Sequence, residues 1–322
     1  MEPGDPVAAL TGRAVEGIAT GGPDVVLRIG AEGFRVGERE SLFDVDGERV
    51  LTARVGPKGT NVVLVVSDLE GKVLREIDSG MHLPQTGIVR GDDVYFGGLD
   101  LGPEGDDIDA AKDRGAWVAR GDAPPERIYG PDGGVAVYSE FLRSPNGRTV
   151  GIWRCGVICS SILVGPEDRV IEIPKPGLFE LADEVTLVIG AFGELIAYRS
   201  SDGGELWRTE TTGLFYDRYV TSDGRSFVLS AIEPVDGGGP GARQLRVDVV
   251  EALSGAVERS VVLPLDGPQL FVAATLSTDR YVALLDSVLP NPDDGPHTVR
   301  VIDLEAGKLL DIELTLGSVP DG

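Results

Sequence analysis

The chain has 322 residues, 42% of them hydrophobic, with 53 acidic against 29 basic side chains and a formal charge of −24. That hydrophobic share excludes a disordered protein, and no apolar run approaches the roughly 20 residues of a membrane-spanning helix. A field of this sign repels nucleic acid and anionic lipid, which leaves a protein or a small ligand as partner and argues against membrane insertion. The 45 Gly and 21 Pro punctuate short runs of Val, Ile, Leu and Tyr, the pattern of tight turns between strands.

Residues 1–6 have neither the basic start nor the apolar segment of a signal peptide and read as the remnant of a polar linker. Beyond them, alternating apolar runs stop at an Asp/Gly turn and resume. Phe141–Trp153 (FLRSPNGRTVGIW) is echoed by Tyr219–Leu229 (YVTSDGRSFVL) and Ala274–Leu285 (ATLSTDRYVALL). A second phrase recurs at Val65–Ile77, Ile196–Thr209 and Val299–Ile312. Self-similarity at about 40–50 residues, with four candidate strands per unit and almost no helical period, predicts an all-β fold. We expect a single β-propeller over 7–318, a monomer, with a tail at 319–322. Its seven four-stranded blades would occupy 7–40, 41–82, 83–132, 133–176, 177–213, 214–266 and 267–318. The fourth unit is the plainest, with strands at Ala136–Phe141, Thr149–Arg154, Ser160–Val164 and Arg169–Ile173. The first is the weakest, because Val7–Leu10 is short; if it fails, the blades number six.

With strands a to d in each unit, the a–b and c–d turns are short almost everywhere. Three b–c connections grow: Leu101–Gly115, Glu233–Arg243 and Ser287–His297. In a four-stranded meander the b–c and d–a connections leave one face and the a–b and c–d turns the other, so all three insertions decorate one face. Long loops on a rigid scaffold are where binding and catalysis concentrate. The candidate partner face carries His82, Asp106, Asp107, Asp109, Asp293, Asp294 and His297. Asp107, Asp109 and Asp113 offer hard oxygen ligands that suit Ca²⁺, although the Gly and closing Glu of an EF-hand are missing. A solvated acidic loop is the plainer reading, and no cofactor is assigned. Gly237–Ala242 precedes a strand, so it lacks the helix N-terminus of a phosphate-binding loop. Trp117, Trp153 and Trp207 follow strand alternation and are expected in the core between blades.

Cys155 and Cys159 bracket a three-residue hairpin loop, where facing residues lie within disulfide range. A bridge would place the protein in an oxidising compartment, so we expect export to the periplasm or the extracellular space, with membrane anchoring through a removed N-terminal segment as the alternative.

The Ser144-Pro-Asn-Gly-Arg148 turn, the matching Ser222–Arg225 and the Asp303–Lys308 segment resemble repeats of bacterial WD40-like propellers. Gly203-Gly-Glu-Leu-Trp207 resembles the end of a quinoprotein-type repeat, but no other unit repeats the Trp, so a quinone cofactor is not implied. The resemblance implies a scaffold for protein or ligand binding. We therefore expect a non-catalytic, exported propeller. The alternatives are a propeller-fold lyase or hydrolase that uses acidic residues with Ca²⁺ or Mg²⁺ on the same face, and an extracellular sensor domain of an anchored protein.

Overall fold

Two turns show why the chain folds back where it does. In Ser144–Thr149 the Ser144 hydroxyl accepts the Thr149 amide at 3.0 Å and the Asn146 side chain accepts the Arg148 amide at 2.9 Å. In Thr221–Ser226 the Thr221 hydroxyl accepts the Ser226 amide at 3.0 Å and Asp223 accepts the Arg225 amide at 3.1 Å. Gly147 and Gly224 both stand at φ +68°, a conformation that costs glycine little. One local chemistry, used twice, turns an innermost strand into its neighbour.

A computed structural model describes residues 26–29, 32–35, 40–46, 49–55, 62–68, 70–81, 83–100, 112–130, 138–155, 159–175, 177–190, 193–210, 214–235, 242–265, 274–277, 279, 281–285 and 297–314. The first two strands, β1 (Val26–Ile29) and β2 (Glu32–Arg35), pair with each other in a two-stranded ladder. Six four-stranded antiparallel meanders follow, named blades I to VI in chain order. Blade I is β3 (Glu40–Asp46), β4 (Arg49–Val55), β5 (Val62–Asp68) and β6 (Val73–Asp78). Blade II is β7 (Leu83–Arg90), β8 (Asp93–Asp100), β9 (Lys112–Arg120) and β10 (Glu126–Tyr129). Blade III is β11 (Tyr138–Arg143), β12 (Val150–Cys155), β13 (Cys159–Val164) and β14 (Val170–Glu172). Blade IV is β15 (Leu178–Leu181), β16 (Val185–Ile189), β17 (Glu194–Arg199) and β18 (Glu205–Glu210). Blade V is β19 (Leu214–Val220), β20 (Ser226–Pro234), β21 (Arg243–Glu251) and β22 (Val257–Leu265). Blade VI is β23 (Ala274–Ser277), β24 (Tyr281–Leu285), β25 (His297–Asp303) and β26 (Lys308–Leu314). The innermost strands β3, β7, β11, β15, β19 and β23 lie side by side in that order. This is the all-β propeller arrangement; the expected first strand Val7–Leu10 lies outside the described residues.

The core explains the sequence pattern. Among the described residues, five hydrophobic clusters fill the successive junctions from blades I and II to blades V and VI. Between I and II stand Leu51, Leu64 and Val66 against Val94 and Phe96; between IV and V stand Leu187 and Ala197 against Phe227 and Leu229. Within β20 the alternation is complete: Phe227 and Leu229 turn toward blade IV, Val228 and Ile232 toward blade VI. A strand buried on both faces reads as a continuous apolar run, which is why Val150–Trp153 or Phe227–Ile232 shows no polar face. The three tryptophans join these clusters: Trp117 at I/II, Trp153 at III/IV and Trp207 at IV/V.

Cys155 and Cys159 are bridged across the mouth of the β12–β13 hairpin, with their Cα atoms 4.0 Å apart. Closing so small a ring constrains the unfolded chain by only about 2 kcal/mol in the loop-entropy description. Reduction should therefore lower the unfolding free energy by about that amount and leave the fold intact. Thiol titration of denatured, unreduced protein checks the bridge: no free thiol is expected, and two would contradict it.

Candidate functional site

Because every four-stranded sheet is a sequential meander, its b–c and d–a connections share one face and its a–b and c–d turns the other. The three long insertions join β8 to β9, β20 to β21 and β24 to β25, all b–c connections. Most of their residues, including Asp106, Asp107, Asp109, Asp293 and Asp294, lie outside the described residues, as do His82 and Gly237–Gly241. Asp113 is the second residue of β9, and His297 opens β25. Among the described residues no cluster of three or more His, Cys, Asp or Glu is arranged to hold a metal ion.

On the long-loop face, a cavity of about 440 Å³ is lined by Arg127, Ile128, Tyr129 and Gly130. Behind it the Arg154 guanidinium lies 5.9 Å from the Tyr129 ring centroid, and burial lowers the pKa of this arginine. Gly130 stands at φ +117°, and a Cβ there would come 2.6 Å from Arg154 Nη1. A Cβ there would also come 2.8 Å from the Gly115 Cα, so this φ and that backbone contact favour glycine.

The opposite face is occupied by ties between blades, one set at each described junction. Arg49 pairs with Asp92 at 3.0 Å between I and II. Asp168 accepts Arg120 at 2.7 Å, Arg90 at 3.4 Å and the Tyr95 hydroxyl at 3.4 Å between II and III. The Asn146 amide donates to Asp183 at 2.8 Å between III and IV, and the Asp183 amide donates to Gly224 O at 3.1 Å between IV and V. Finally, the Ser222 amide donates to Asp279 at 2.7 Å between V and VI. At four of these junctions an aspartate, Asp92, Asp168, Asp183 or Asp279, accepts from the preceding blade.

Inside the ring, two arginines each reach across a whole blade. Arg143 on β11 bonds Asp44 on β3 at 2.8 Å, passing β7, where it also donates to Val89 O. Arg218 on β19 pairs with Glu180 on β15 at 2.8 Å and Glu140 on β11 at 3.4 Å. Burial pushes the Asp44 carboxyl above the usual range, with Arg143 and the Val89 amide offsetting part of the cost and Asp46 adding to it. Burial likewise raises Glu140 against the opposing pull of Arg218. Sequence reasoning missed these groups, because nothing local to Asp44 or Glu140 marks a partner so far along the chain.

These directions fix the sign of the pH dependence. A raised native pKa means the folded state holds protons that the unfolded state has released, so Asp44 and Glu140 make stability grow as pH falls toward the ordinary carboxylate range. Asp202 and Asp223 are lowered, first by the Gly204 amide and the Thr221 hydroxyl respectively. Their contribution is present at neutral pH and is lost as pH falls through their lowered values. Relief of self-repulsion at −24 acts in the same direction as the raised pair. Thermal unfolding should therefore show the midpoint rising from about pH 8 to about pH 5 and falling below about pH 4. A midpoint that drops steadily from neutral pH downward would contradict this assignment.

No protein-family profile matches the chain, and no curated protein is significantly similar to it in sequence. Solved structures do resemble it. A prolyl endopeptidase aligns with TM-score 0.54 and 13% identity over 95% of this chain and 51% of that one, so the chain spans about half its length. Sqt1 of Saccharomyces cerevisiae aligns with TM-score 0.51 and 11% identity, covering 89% of this chain and 78% of that one. Apo AztD of Citrobacter koseri gives 0.50 and 10%, with 87% and 72% covered. At these identities the likeness shows the fold alone: the chain is a β-propeller.

Proposed function

We propose that this is a non-catalytic propeller that binds a partner protein or ligand through the face bearing the b–c insertions. One observation carries the reading. All three long insertions are b–c connections and share a face, whereas the turns of the opposite face are engaged in ties from blade to blade. Turn residues that hold the ring together are poorly placed to be remodelled for a ligand, while loops outside the ladders vary without disturbing it. The Cys155–Cys159 bridge suits an exported protein, and no helix among the described residues is long and apolar enough to cross a membrane.

Shortening the segments 101–111, 236–241 and 286–296 one at a time tests the reading. Loop-closure entropy changes by only about 0.6 kcal/mol per doubling of length, so the melting temperature should stay nearly constant. Partner binding should weaken in at least one variant. Full binding after all three are shortened would refute the face assignment.

A further inference from the structure

The Ser144–Thr149 and Thr221–Ser226 turns share their bonds but differ at the corner, which is Asn146 in blade III and Asp223 in blade V. The difference is chemical. An asparagine before a glycine is especially prone to deamidation, because glycine has no Cβ to shield its amide nitrogen from the neighbouring side-chain carbonyl carbon. The chain has only three asparagines, and Asn146 alone precedes a glycine. Val62 follows Asn61 with a branched Cβ, and Pro292 follows Asn291 with no amide hydrogen to lose. Asp223 offers instead a carboxylate, a poor electrophile, and the Thr221 hydroxyl holds its pKa below the usual range, so it stays ionised.

Asn146 is exposed, yet the atoms that deamidation needs are engaged. The Gly147 N–H, on the nitrogen that would attack, donates to Ser144 O at 2.8 Å. Asn146 Oδ1 accepts the Ser144 hydroxyl at 2.8 Å and the Arg148 amide at 2.9 Å, which holds the side-chain amide against rotation. The Asn146 N–H donates to Asp183 Oδ1 at 2.8 Å and pins the corner to blade IV. Asp183 is itself fixed, since its own amide donates to Gly224 O at 3.1 Å. Attack on the side chain therefore requires that the corner leave Asp183 and the turn open.

We propose that Asn146 is a modification site, that its tie to Asp183 governs its deamidation, and that the isoaspartyl product unties blade III from blade IV. In the opened turn the Gly147 nitrogen gives up its proton to water and attacks Asn146 Cγ. The N–Cγ bond forms, the Cγ–Nδ2 bond breaks, and Nδ2 takes a proton and leaves as ammonia, which closes a succinimide. Water then adds to one of the two ring carbonyls. At Cγ it cleaves the new bond and leaves aspartate, which this corner accepts, because Asp223 stands at the same place in blade V. At the main-chain carbonyl it cleaves the original peptide bond and leaves isoaspartate. The backbone then runs through Cγ, longer by one methylene, and the turn loses its Oδ1 acceptor. A carboxylate now stands on the Cα next to the amide that Asp183 accepts, so like charges meet at the tie.

Incubation of the full chain at mildly alkaline pH, native and in denaturing urea, tests the proposal, with peptide mass spectrometry following Asn146. The native chain should react at least about tenfold more slowly than the unfolded one, since the turn must open first. Asp183→Ala should raise the native rate by about tenfold, the worth of one hydrogen bond to a charged acceptor. Asp183→Asn, which keeps a neutral acceptor, should raise it less and serves if the first variant does not fold. Urea unfolding of each variant counts global opening separately. Asn146→Asp should keep the unfolding midpoint, whereas the isoaspartyl form, separated by chromatography, should unfold at a lower one. Any of four results would overturn the proposal: equal rates in the native and unfolded chain, no reaction at Asn146 in urea, unchanged rates in the Asp183 variants, or equal midpoints for the isoaspartyl form and Asn146→Asp.

Discussion

Replacing Asp44 with Ala should lower the unfolding free energy by about 3–5 kcal/mol, the usual cost of leaving one member of a buried ion pair without its partner. The Asp44 carboxylate accepts both Arg143 and the Val89 amide at 2.8 Å, so its loss leaves a backbone donor without its acceptor and Arg143 with only the longer Asp46 pairing at 3.4 Å. Three innermost strands are released at once, because Arg143 ties β11 through β7 to β3. The cause can be separated from loss of packing. Asp44→Leu combined with Arg143→Met removes both charges, and the pair replaced by apolar groups should recover much of the loss. Denaturant unfolding of the two single variants and the double variant measures this. A single-variant effect below about 0.5 kcal/mol would mean that Arg143 is satisfied by solvent or by Asp46 without Asp44.

Phe227→Ala should cost a similar amount, about 3–5 kcal/mol, for a different reason. Phe227 is fully buried between blades IV and V, packed with Leu187, Leu195 and Val250. Truncation leaves a cavity that flanking ladders cannot close, since each strand is held at fixed spacing by its own sheet. Urea unfolding checks the size of the loss. A change under about 1 kcal/mol would indicate that the two blades pack loosely, against the inter-blade core described here.

What the sequence made legible follows from how local its signals are. The turns at Ser144–Thr149 and Thr221–Ser226 are written in adjacent residues, and each closes with side-chain caps that recur bond for bond. Strand alternation, the bridge at Cys155 and Cys159, and the core tryptophans are local in the same sense. Arg143 with Asp44 and Arg218 with Glu140 are separated by 99 and 78 positions, and no period connects them. Such pairs arise only once the blades stand in a ring. The candidate acidic loops and His82 have no counterpart to compare, as they lie outside the described residues.

Site-specific photo-crosslinking from both faces in the native host tests the central claim most directly. Probes replace Glu104, Gly239 and Asn291 in the three insertions, and Asn146 and Asp223 in the short turns. The account predicts discrete partner adducts from the insertion positions and none from the turns. Adducts from Asn146 or Asp223, with the insertion probes silent, would contradict it.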